Sequence, residues 1–503
     1  MTALNRIRAD LEGYLREAEA ITYRNHAGLS EEAGLASLHA RHPLVFDPES
    51  LRAVEEALAA AGSEDAGTAG GAKASERFRL ELLRETLAQT AVEKETDAVS
   101  DGILEAEAGA EVAEPGGKLP YRSVGAAISA EPVRARRQAL EAGRAGVLRE
   151  LEPRYRAWWD RTREGCQAIG RADLAALVSD TALVDLDALA AEAAAFLRAT
   201  EDLYRDYLGW LAGKRLGLKP GELESHDLHH LFYLPESRAT YSSRNLTDLA
   251  RRSMGEMNLS LEADGRISLD VEARPGKSSR AFCARLAVPS RIVLVIYPRG
   301  GVDDYQAFFH ELGHAQHFAH TDPGLPFELR DLDDSAVTEA WAFTLQSLPE
   351  DPGWVAALLG EKPGSDFFRT LKLAKLFLVR RYAAKIAYEL SLWRAEKLED
   401  YPARYQEALQ QATSARYPRE GYLADVDPFF YVARYLRGWM LASQISEALR
   451  ERFDEGWFCR GDTGTWLREQ WRVGAIRAET LSATLGAPRL DAAALTREFL
   501  AAF

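Results

Sequence analysis

The sequence predicts a mainly α-helical protein that contains one small antiparallel β-sheet. Apolar residues recur at helical spacing over long segments, and almost everything after residue 303 continues that pattern. Short segments typical of strands occur close together between residues 259 and 297, separated by Asp-Gly, Pro-Gly and Pro-Ser. A chain of 503 residues also exceeds the size at which a single core keeps growing. We therefore expect two or three lobes around a cleft, with a division between residues 1–245 and 246–503.

The N-terminal part, residues 1–245, is predicted to be helical. Its segments of helical periodicity are residues 3–23, 48–61, 75–92, 132–166 and 186–211. The exception is residues 103–121, where weak alternation around Pro115-Gly116-Gly117 predicts a small β-hairpin. In the C-terminal part, the predicted helices that follow residue 320 are residues 333–348, 365–398 and 429–453.

Four short strands are predicted to form the small sheet, at residues 259–261, 266–271, 279–283 and 291–297. They directly precede the segment around His310. An edge strand of such a sheet can take an extended peptide as an added strand. Residues 291–297 and residues 279–283 are the two alternatives for such an edge, and an ordinary core sheet is a third interpretation.

Composition excludes several classes of partner. The net charge is −15, and no block of lysine and arginine interrupts it, which argues against nucleic acid and anionic membranes as partners. No run of about 18 apolar residues is present. The three cysteines, Cys166, Cys283 and Cys459, are widely spaced, which suits a reducing compartment and provides neither a disulfide framework nor a thiolate zinc site. We therefore expect a soluble cytoplasmic protein.

The clearest chemical motif is the H-E-x-x-H pattern formed by His310, Glu311 and His314. On a helix, residues four apart lie on one face, so both imidazoles can bind a single zinc ion. Glu311 is then placed to act as general base towards a metal-activated water. The alternative is a surface helix with two histidines that bind nothing.

A catalytic zinc site needs a third protein ligand. His320 occupies the third histidine position of the longer H-E-x-x-H-x-x-G-x-x-H pattern, but His317 replaces the glycine that would turn the chain back. On a continuous helix, His317 and His320 lie about 10 and 15 Å from His310 along the axis. We therefore favour Glu339, which lies on a following helix that Asp334 or Ser335 can cap.

A second segment, His226-Asp227-Leu228-His229-His230, repeats the four-residue histidine spacing with an aspartate in place of the glutamate. A second metal site is therefore an alternative. Only a short turn fits between Pro220 and Pro235, so a rigid helix to hold ligands is not expected there. We favour a structural or substrate-contacting role for His226, His229 and His230.

These residues together resemble the M3 family of zinc oligopeptidases, of the thimet oligopeptidase and oligoendopeptidase F types, which are zinc peptidases of the gluzincin type. The matching segments are residues 276–283, the His310–His314 motif, Glu339 and residues 430–438, in the family's order, and the similarity extends over about residues 119–455. The resemblance implies a zincin-like catalytic lobe at 246–503, helical lobes flanking a deep channel, and short peptides as substrates. It also implies one Zn²⁺ per chain, bound by His310, His314 and Glu339.

The same resemblance bears on the groups that stabilise the oxyanion. The family carries a histidine five or six residues before its first tyrosine, where this chain has Asp425 and Val426, and the thimet type's further tyrosine is here Gly438. No histidine follows His320, so we predict that the phenols of Tyr431 and Tyr435 donate to the oxyanion. Four residues apart, these two tyrosines share one helix face. Aromatic packing is the alternative role for both.

The hypothesis from sequence is a zinc metalloendopeptidase that hydrolyses short oligopeptides with Glu311 as general base. One alternative is a non-catalytic peptide-binding or regulatory protein on the same scaffold, which the missing late histidine favours. The other is a zinc hydrolase of a non-peptide amide. Turnover of peptides and its sensitivity to chelators distinguish the three.

Overall fold

Helices dominate the computed structural model, which describes residues 2–30, 35–61, 75–114 and 117–502. The helices in these ranges are α1 Ala3–His26, α2 Leu35–Arg41, α3 Pro48–Ala60, α4 Glu76–Gly109, α5 Val124–Ala130, α6 Arg134–Ala168, α7 Leu174–Thr181, α8 Leu186–Ala199, α9 Glu201–Leu216, α10 Ser225–Leu231, α11 Leu246–Glu256, α12 Val302–His320, α13 Phe327–Asp331, α14 Ser335–Gln346, α15 Pro352–Trp354, α16 Ser365–Trp393, α17 Tyr401–Thr413, α18 Tyr431–Phe453, α19 Gly461–Trp471, α20 Ala478–Thr484 and α21 Ala493–Ala502. The mainly α-helical prediction is confirmed. No helix in the described ranges is long and apolar enough to cross a membrane.

The strands are β1 Glu111–Glu114, β2 Gly117–Pro120, β3 Ile267–Asp270, β4 Phe282–Ala287 and β5 Arg291–Val295. β1 and β2 form the predicted hairpin, with Val112 opposite Leu119. Its first part was predicted wrongly, because residues 103–109 continue helix α4 instead of forming a strand. The hairpin packs onto α5 and α6 through a cluster of buried apolar residues that includes Val112, Ile128 and Leu140.

The larger sheet has three strands in the order β3-β5-β4 and is mixed, not antiparallel. β3 runs parallel to β5, whereas β4 runs antiparallel to it. The first of the four predicted strands, residues 259–261, is absent, because these residues form a loop after the end of α11. β5 is buried from Ile292 to Val295 and lies in the middle of the sheet, which leaves β4 as an edge. Alternation of apolar residues predicts a strand but not its neighbour, so strand order and direction were not accessible from sequence.

The chain divides into two compact units, each assembled from three segments. The first unit is Met1–Thr90, Leu234–Phe368 and Arg437–Leu495; the second unit is Ala91–Tyr233, Arg369–Leu436 and Thr496–Phe503. This division differs from the predicted boundary between residues 245 and 246. The reason is long-range packing: Ala20 and Tyr23 of α1 pack against the sheet, next to Phe282 and Ala284.

Candidate metal centre

The site is built on the pair of helices α12 and α14 of the first unit, which approach each other very closely. Gly313, inside the H-E-x-x-H motif, allows this approach. A Cβ atom added at Gly313 would lie 2.5 Å from Ala342 Cα and 2.7 Å from Trp341 O, both on α14. The glycine is therefore required by the contact between the two backbones, and it brings the side chains of α14 towards His310 and His314.

His310, His314 and Glu339 lie together, as predicted. One ligand atom from each residue lies within 4.8 Å of the others. Glu339 Oε2 lies 3.4 Å from His310 Nε2 and 3.9 Å from His314 Nε2. Two imidazole nitrogens and a carboxylate oxygen are the donor set of catalytic zinc sites, which leaves a fourth position for water or substrate. Among the described residues, this is the one group of three or more histidine, cysteine, aspartate or glutamate side chains that could bind a metal ion together.

Gln346 orients the first histidine, and sequence analysis missed it. His310 Nδ1–H donates to Gln346 Oε1 at 2.8 Å, so Nε2 of the same ring carries its lone pair towards Glu339. Gln346 stands seven residues after Glu339 on α14, and that spacing puts both on one helix face. The interval of seven was the signal that sequence analysis had available.

Ion pairs and a cap anchor the start of α14. Asp334 is its N-cap, as predicted, and accepts a hydrogen bond from Ala336 N at 3.1 Å. The same carboxylate accepts from Ala478 N at 3.1 Å and pairs with Arg437 at 3.3 Å. Asp333, one residue earlier, pairs with Arg285 of β4 at 2.6 Å. These contacts fix the position of α14, and Glu339 with it, relative to the sheet and to the part of α18 within the first unit.

Gly438 places α18 directly against Glu339. A Cβ atom at Gly438 would lie 2.9 Å from Glu339 Cβ and 3.3 Å from Ala336 O. Next to it, Trp439 stacks on Phe343 with ring centroids 4.8 Å apart. Thimet-type family members carry a tyrosine at position 438. Here the glycine allows α18 to pack tightly against Glu339, because a larger side chain would collide with it.

The proposed ligands lie in a buried environment. The exposed fractions of the side chains are 17% for His310, 13% for His314 and 4% for Glu339. Burial lowers the pKa of His310 to about 4, although its hydrogen bond with Gln346 opposes this shift. Burial lowers the pKa of His314 well below its ordinary value, and the neighbouring His310 adds to that effect. Both imidazoles are therefore neutral near pH 7, which is the form that binds metal ions.

Glu311 follows His310 on α12 and contacts the edge of the sheet. Its carboxylate accepts a hydrogen bond from the backbone N–H of Cys283 on β4. Burial raises the pKa of Glu311 to about 7, and this hydrogen bond partly offsets the effect. A buried carboxylate beside the ligand group matches the requirements of a general base.

The order of the strands decides between the two predicted edge strands. Residues 291–297 cannot receive an added strand, because β5 pairs on both sides. Residues 279–283 fall at the start of β4, which has one unpaired side. On β4, Arg285 N donates to Glu19 of α1 at 3.0 Å and Cys283 N donates to Glu311, so both of these N–H groups already have side-chain acceptors.

The two remaining histidines of α12 lie outside the ligand group. His320 Nδ1–H donates to Gln316 O at 2.8 Å, and its ring lies 5.5 Å from that of Trp471. His317 was predicted to lie on the surface or around the ligands. The structure places it in a buried position, with an exposed fraction of 4%, and its ring stacks on the ring of Phe318. The continuous helix up to His320 confirms that the chain does not turn back after His314.

The His226–His230 segment does form a helix, α10, contrary to the expectation of a short turn. Its polar groups nevertheless have protein partners. His226 Nε2 lies 2.9 Å from Glu224 Oε2, and His230 Nδ1–H donates to Ser129 O at 2.8 Å. Asp227 is fully buried and forms ion pairs with two arginines of α6, at 2.9 and 3.0 Å. These contacts give His226, Asp227 and His230 a structural role.

Tyr431 and Tyr435 lie at the start of α18, in the second unit. Their ring centroids are 4.8 Å apart, so they share a helix face as predicted, and their role towards an oxyanion stays a prediction. The turn before them contains Phe429 and Phe430 at φ +48° and +51°, a conformation that residues with side chains rarely adopt. Asp425, where the family carries a histidine, accepts from Tyr405 at 2.7 Å and pairs with Arg381.

Comparison with known proteins yields no further support for the site. Neither the models of protein families nor the curated proteins match this chain. The geometry of α12 and α14 is therefore the main structural observation that bears on function.

Proposed function

We propose that the chain is a zinc-dependent metallopeptidase that hydrolyses short oligopeptides, in the manner of the M3 family that its motifs resemble. The observation that carries the proposal is the convergence of His310, His314 and Glu339 within 4.8 Å, with Glu311 adjacent to the first histidine. The fit to zinc rests on the donor set and on the hydrogen bond with Gln346 that directs His310 Nε2 towards Glu339. One Zn²⁺ per chain is expected.

The residues around the ligands can divide the chemistry of amide hydrolysis. Bound zinc supplies Lewis-acid chemistry, since it polarises a carbonyl group and lowers the pKa of water. Glu311 accepts the proton of the attacking water at its carboxylate and then passes it to the nitrogen of the leaving amine. Tyr431 and Tyr435 are the proposed hydrogen-bond donors to the oxyanion.

We propose that the peptide binds in extended form along the beginning of β4. That strand has an unpaired side, and its Cys283 N–H contacts Glu311, so a peptide added there passes next to the general base. Short, unstructured substrates follow from the family resemblance. A cytoplasmic location is part of the proposal, because Cys166, Cys283 and Cys459 are all free thiols.

The test combines a metal analysis with one matched pair of variants. Purified protein is expected to contain one zinc per chain and to cleave a quenched peptide library until a chelator is added. Glu311→Gln should lower turnover by about 100- to 10,000-fold with the zinc retained, because an amide cannot accept a proton. Glu56→Gln, at an exposed position of α3, is the control that should change neither.

Three outcomes would contradict the proposal. Peptide binding without cleavage would favour a peptide-binding or regulatory protein. If the protein contains zinc, does not cleave peptides and cleaves a different amide, the zinc hydrolase of a non-peptide amide would be favoured. Turnover of the Glu311→Gln variant at the parent's rate would show that Glu311 is not the base.

A further inference from the structure

The second unit contains a cavity of about 310 Å³ that the proposed peptidase function does not use. Residues of α6, α10, α16 and α17 line it, together with the loop after α17. Part of the wall is apolar and includes Leu148 and Phe377. The remainder carries charges of both signs, from Glu107, Glu141, Arg144, Arg381 and Asp425.

Most of these charged groups already have protein partners. Arg381 pairs with Asp425, which also accepts a hydrogen bond from Tyr405 at 2.7 Å. Glu107 accepts a hydrogen bond from the Tyr155 hydroxyl at 2.6 Å. These contacts provide partners for the charged groups on one side of the cavity. The charged groups of the lining that remain are Glu141 and Arg144.

Glu141 is a buried carboxylate, and one of its two oxygen atoms accepts no hydrogen bond from the part of the chain that the structure describes. It is 8% exposed, and its Oε1 accepts a hydrogen bond from Ser225 at 2.7 Å. Its Oε2 is buried and has no hydrogen-bond partner among the described residues. Arg144 Nη1 lies 3.8 Å from that oxygen, which is too far for a hydrogen bond. An unpaired carboxylate oxygen in a buried place is costly, so a ligand that donates to it is favoured.

Arg144 retains donors for a ligand. Its guanidinium contacts the Tyr121 hydroxyl, but 37% of the side chain is exposed at the cavity wall. A guanidinium has five N–H donors and binds carboxylates through two of them at once. Arg144 stands three residues after Glu141 on α6, so the cation and the anion lie side by side.

His229 adds a neutral polar group. It belongs to the α10 segment whose other polar side chains are structural, and its ring lines the cavity. His229 is an exposed residue that lines the cavity, and loss of solvation there lowers the pKa of its imidazole to about 4, with Arg144 adding to the effect. Near pH 7 the ring therefore carries one donor and one acceptor and no charge.

From these observations we propose that the cavity binds a free α-amino acid with an apolar side chain. The ammonium group donates to Glu141 Oε2, the carboxylate accepts from Arg144, and the side chain packs against Leu148 and Phe377. A simple anion would be repelled by the carboxylate of Glu141, and a simple cation would be repelled by Arg144. A ligand whose ammonium and carboxylate groups are attached to the same carbon satisfies both residues at once.

The test is isothermal titration calorimetry of the full chain with L-leucine and L-phenylalanine. The inference does not depend on peptidase activity, since no turnover is measured. Glu141→Gln and Arg144→Gln should each weaken binding at least about tenfold, because each removes a charge-assisted contact. Glu150→Gln and Arg136→Gln, at exposed positions of the same helix, are the matched controls and should leave the affinity unchanged.

Binding of ligand analogues to the parent protein is a second test, and it does not depend on the folding of any variant. Leucinamide lacks the carboxylate and N-acetyl-L-leucine lacks the ammonium group, so both should bind to the parent protein at least about tenfold more weakly than leucine. The inference is overturned if neither amino acid binds, or if both analogues bind as well as leucine. It is also overturned if folded Glu141→Gln and Arg144→Gln proteins retain the parent's affinity.

Discussion

Two segments of this chain carry the same local pattern and have different surroundings. His310, Glu311 and His314 lie on α12, and His226, Asp227 and His230 lie on α10, with the same spacing of the histidines and an acidic residue after the first. On α12 both Nε2 atoms lie within 4 Å of Glu339 Oε2. On α10 the histidines bond to Glu224 and to a backbone carbonyl.

The neighbouring helix makes the difference. α14 brings a carboxylate and an amide to α12, and among the described residues no arginine forms an ion pair with Glu311. α6 brings Arg134 and Arg137 to α10, and they form ion pairs with the buried Asp227. Burial raises the pKa of Asp227, but hydrogen bonds from His226, Arg134 and Arg137 outweigh it and hold the pKa low, so this carboxylate is a poor base. The comparison shows that a four-residue histidine spacing identifies a metal site only together with its partner helix.

Exchanging one histidine in each segment should give the largest contrast. His314→Ala removes a proposed ligand, so zinc and peptide turnover should both be lost, because two ligands do not hold the ion firmly. His226→Ala should retain one zinc per chain. Metal analysis and a peptide assay on both folded variants check this. Retention of zinc by His314→Ala would remove the distinction between the two segments.

The tyrosines of α18, Tyr431 and Tyr435, are the predicted donors to the oxyanion. Tyr435→Phe should lower peptide turnover by about 100- to 1,000-fold with zinc content unchanged, the typical effect of removing one oxyanion donor. Tyr431→Phe should have a smaller effect. If both variants keep the parent's turnover, the tyrosines serve for packing and the oxyanion is stabilised by other groups.

Gln346 in the first unit has a counterpart in the other segment. Gln346 Oε1 accepts the hydrogen bond from His310 Nδ1–H, and Ser129 O accepts the one from His230 Nδ1–H. Gln346→Ala should weaken zinc affinity by about 10- to 100-fold, the usual effect of removing the partner that orients a metal-bound histidine. Zinc affinity is measured by competition with a chelator of known strength. Gln346→Glu keeps the acceptor and should recover most of the affinity. An unchanged affinity of the alanine variant would exclude the orienting role.

The smallest effect is expected at His230. His230→Ala removes one hydrogen bond to Ser129 O, so it should lower the free energy of unfolding by about 1 kcal/mol and leave zinc content unchanged. Denaturant unfolding of the parent and the variant measures the difference. Loss of zinc in this variant, with a normal unfolding curve, would reassign α10 as a metal site.

The sequence by itself determined the local features of this protein. The mainly helical class follows from apolar periodicity, and a helix places His310 and His314 on one face through its fixed rotation and rise per residue. It also favoured Glu339 over His320, because a continuous helix carries His320 away from His310. The common face of His310 and His314 and the exclusion of His320 depend only on residues that are near in sequence, where backbone geometry fixes the distances. The position of Glu339 depends in addition on the packing of α14 against α12.

Tertiary structure decided everything that depends on distant segments. Examples are the middle position of β5, the assembly of each unit from three segments, and the two arginines that pair with Asp227 from 90 and 93 residues away. So is the role of Gly313, whose missing side chain matters only because Ala342 packs against it. A periodic pattern shows which face of an element is buried and is silent about what covers that face. The partner is selected by packing across the whole fold, and that partner separates the metal-binding arrangement of α12 from the ion-paired arrangement of α10.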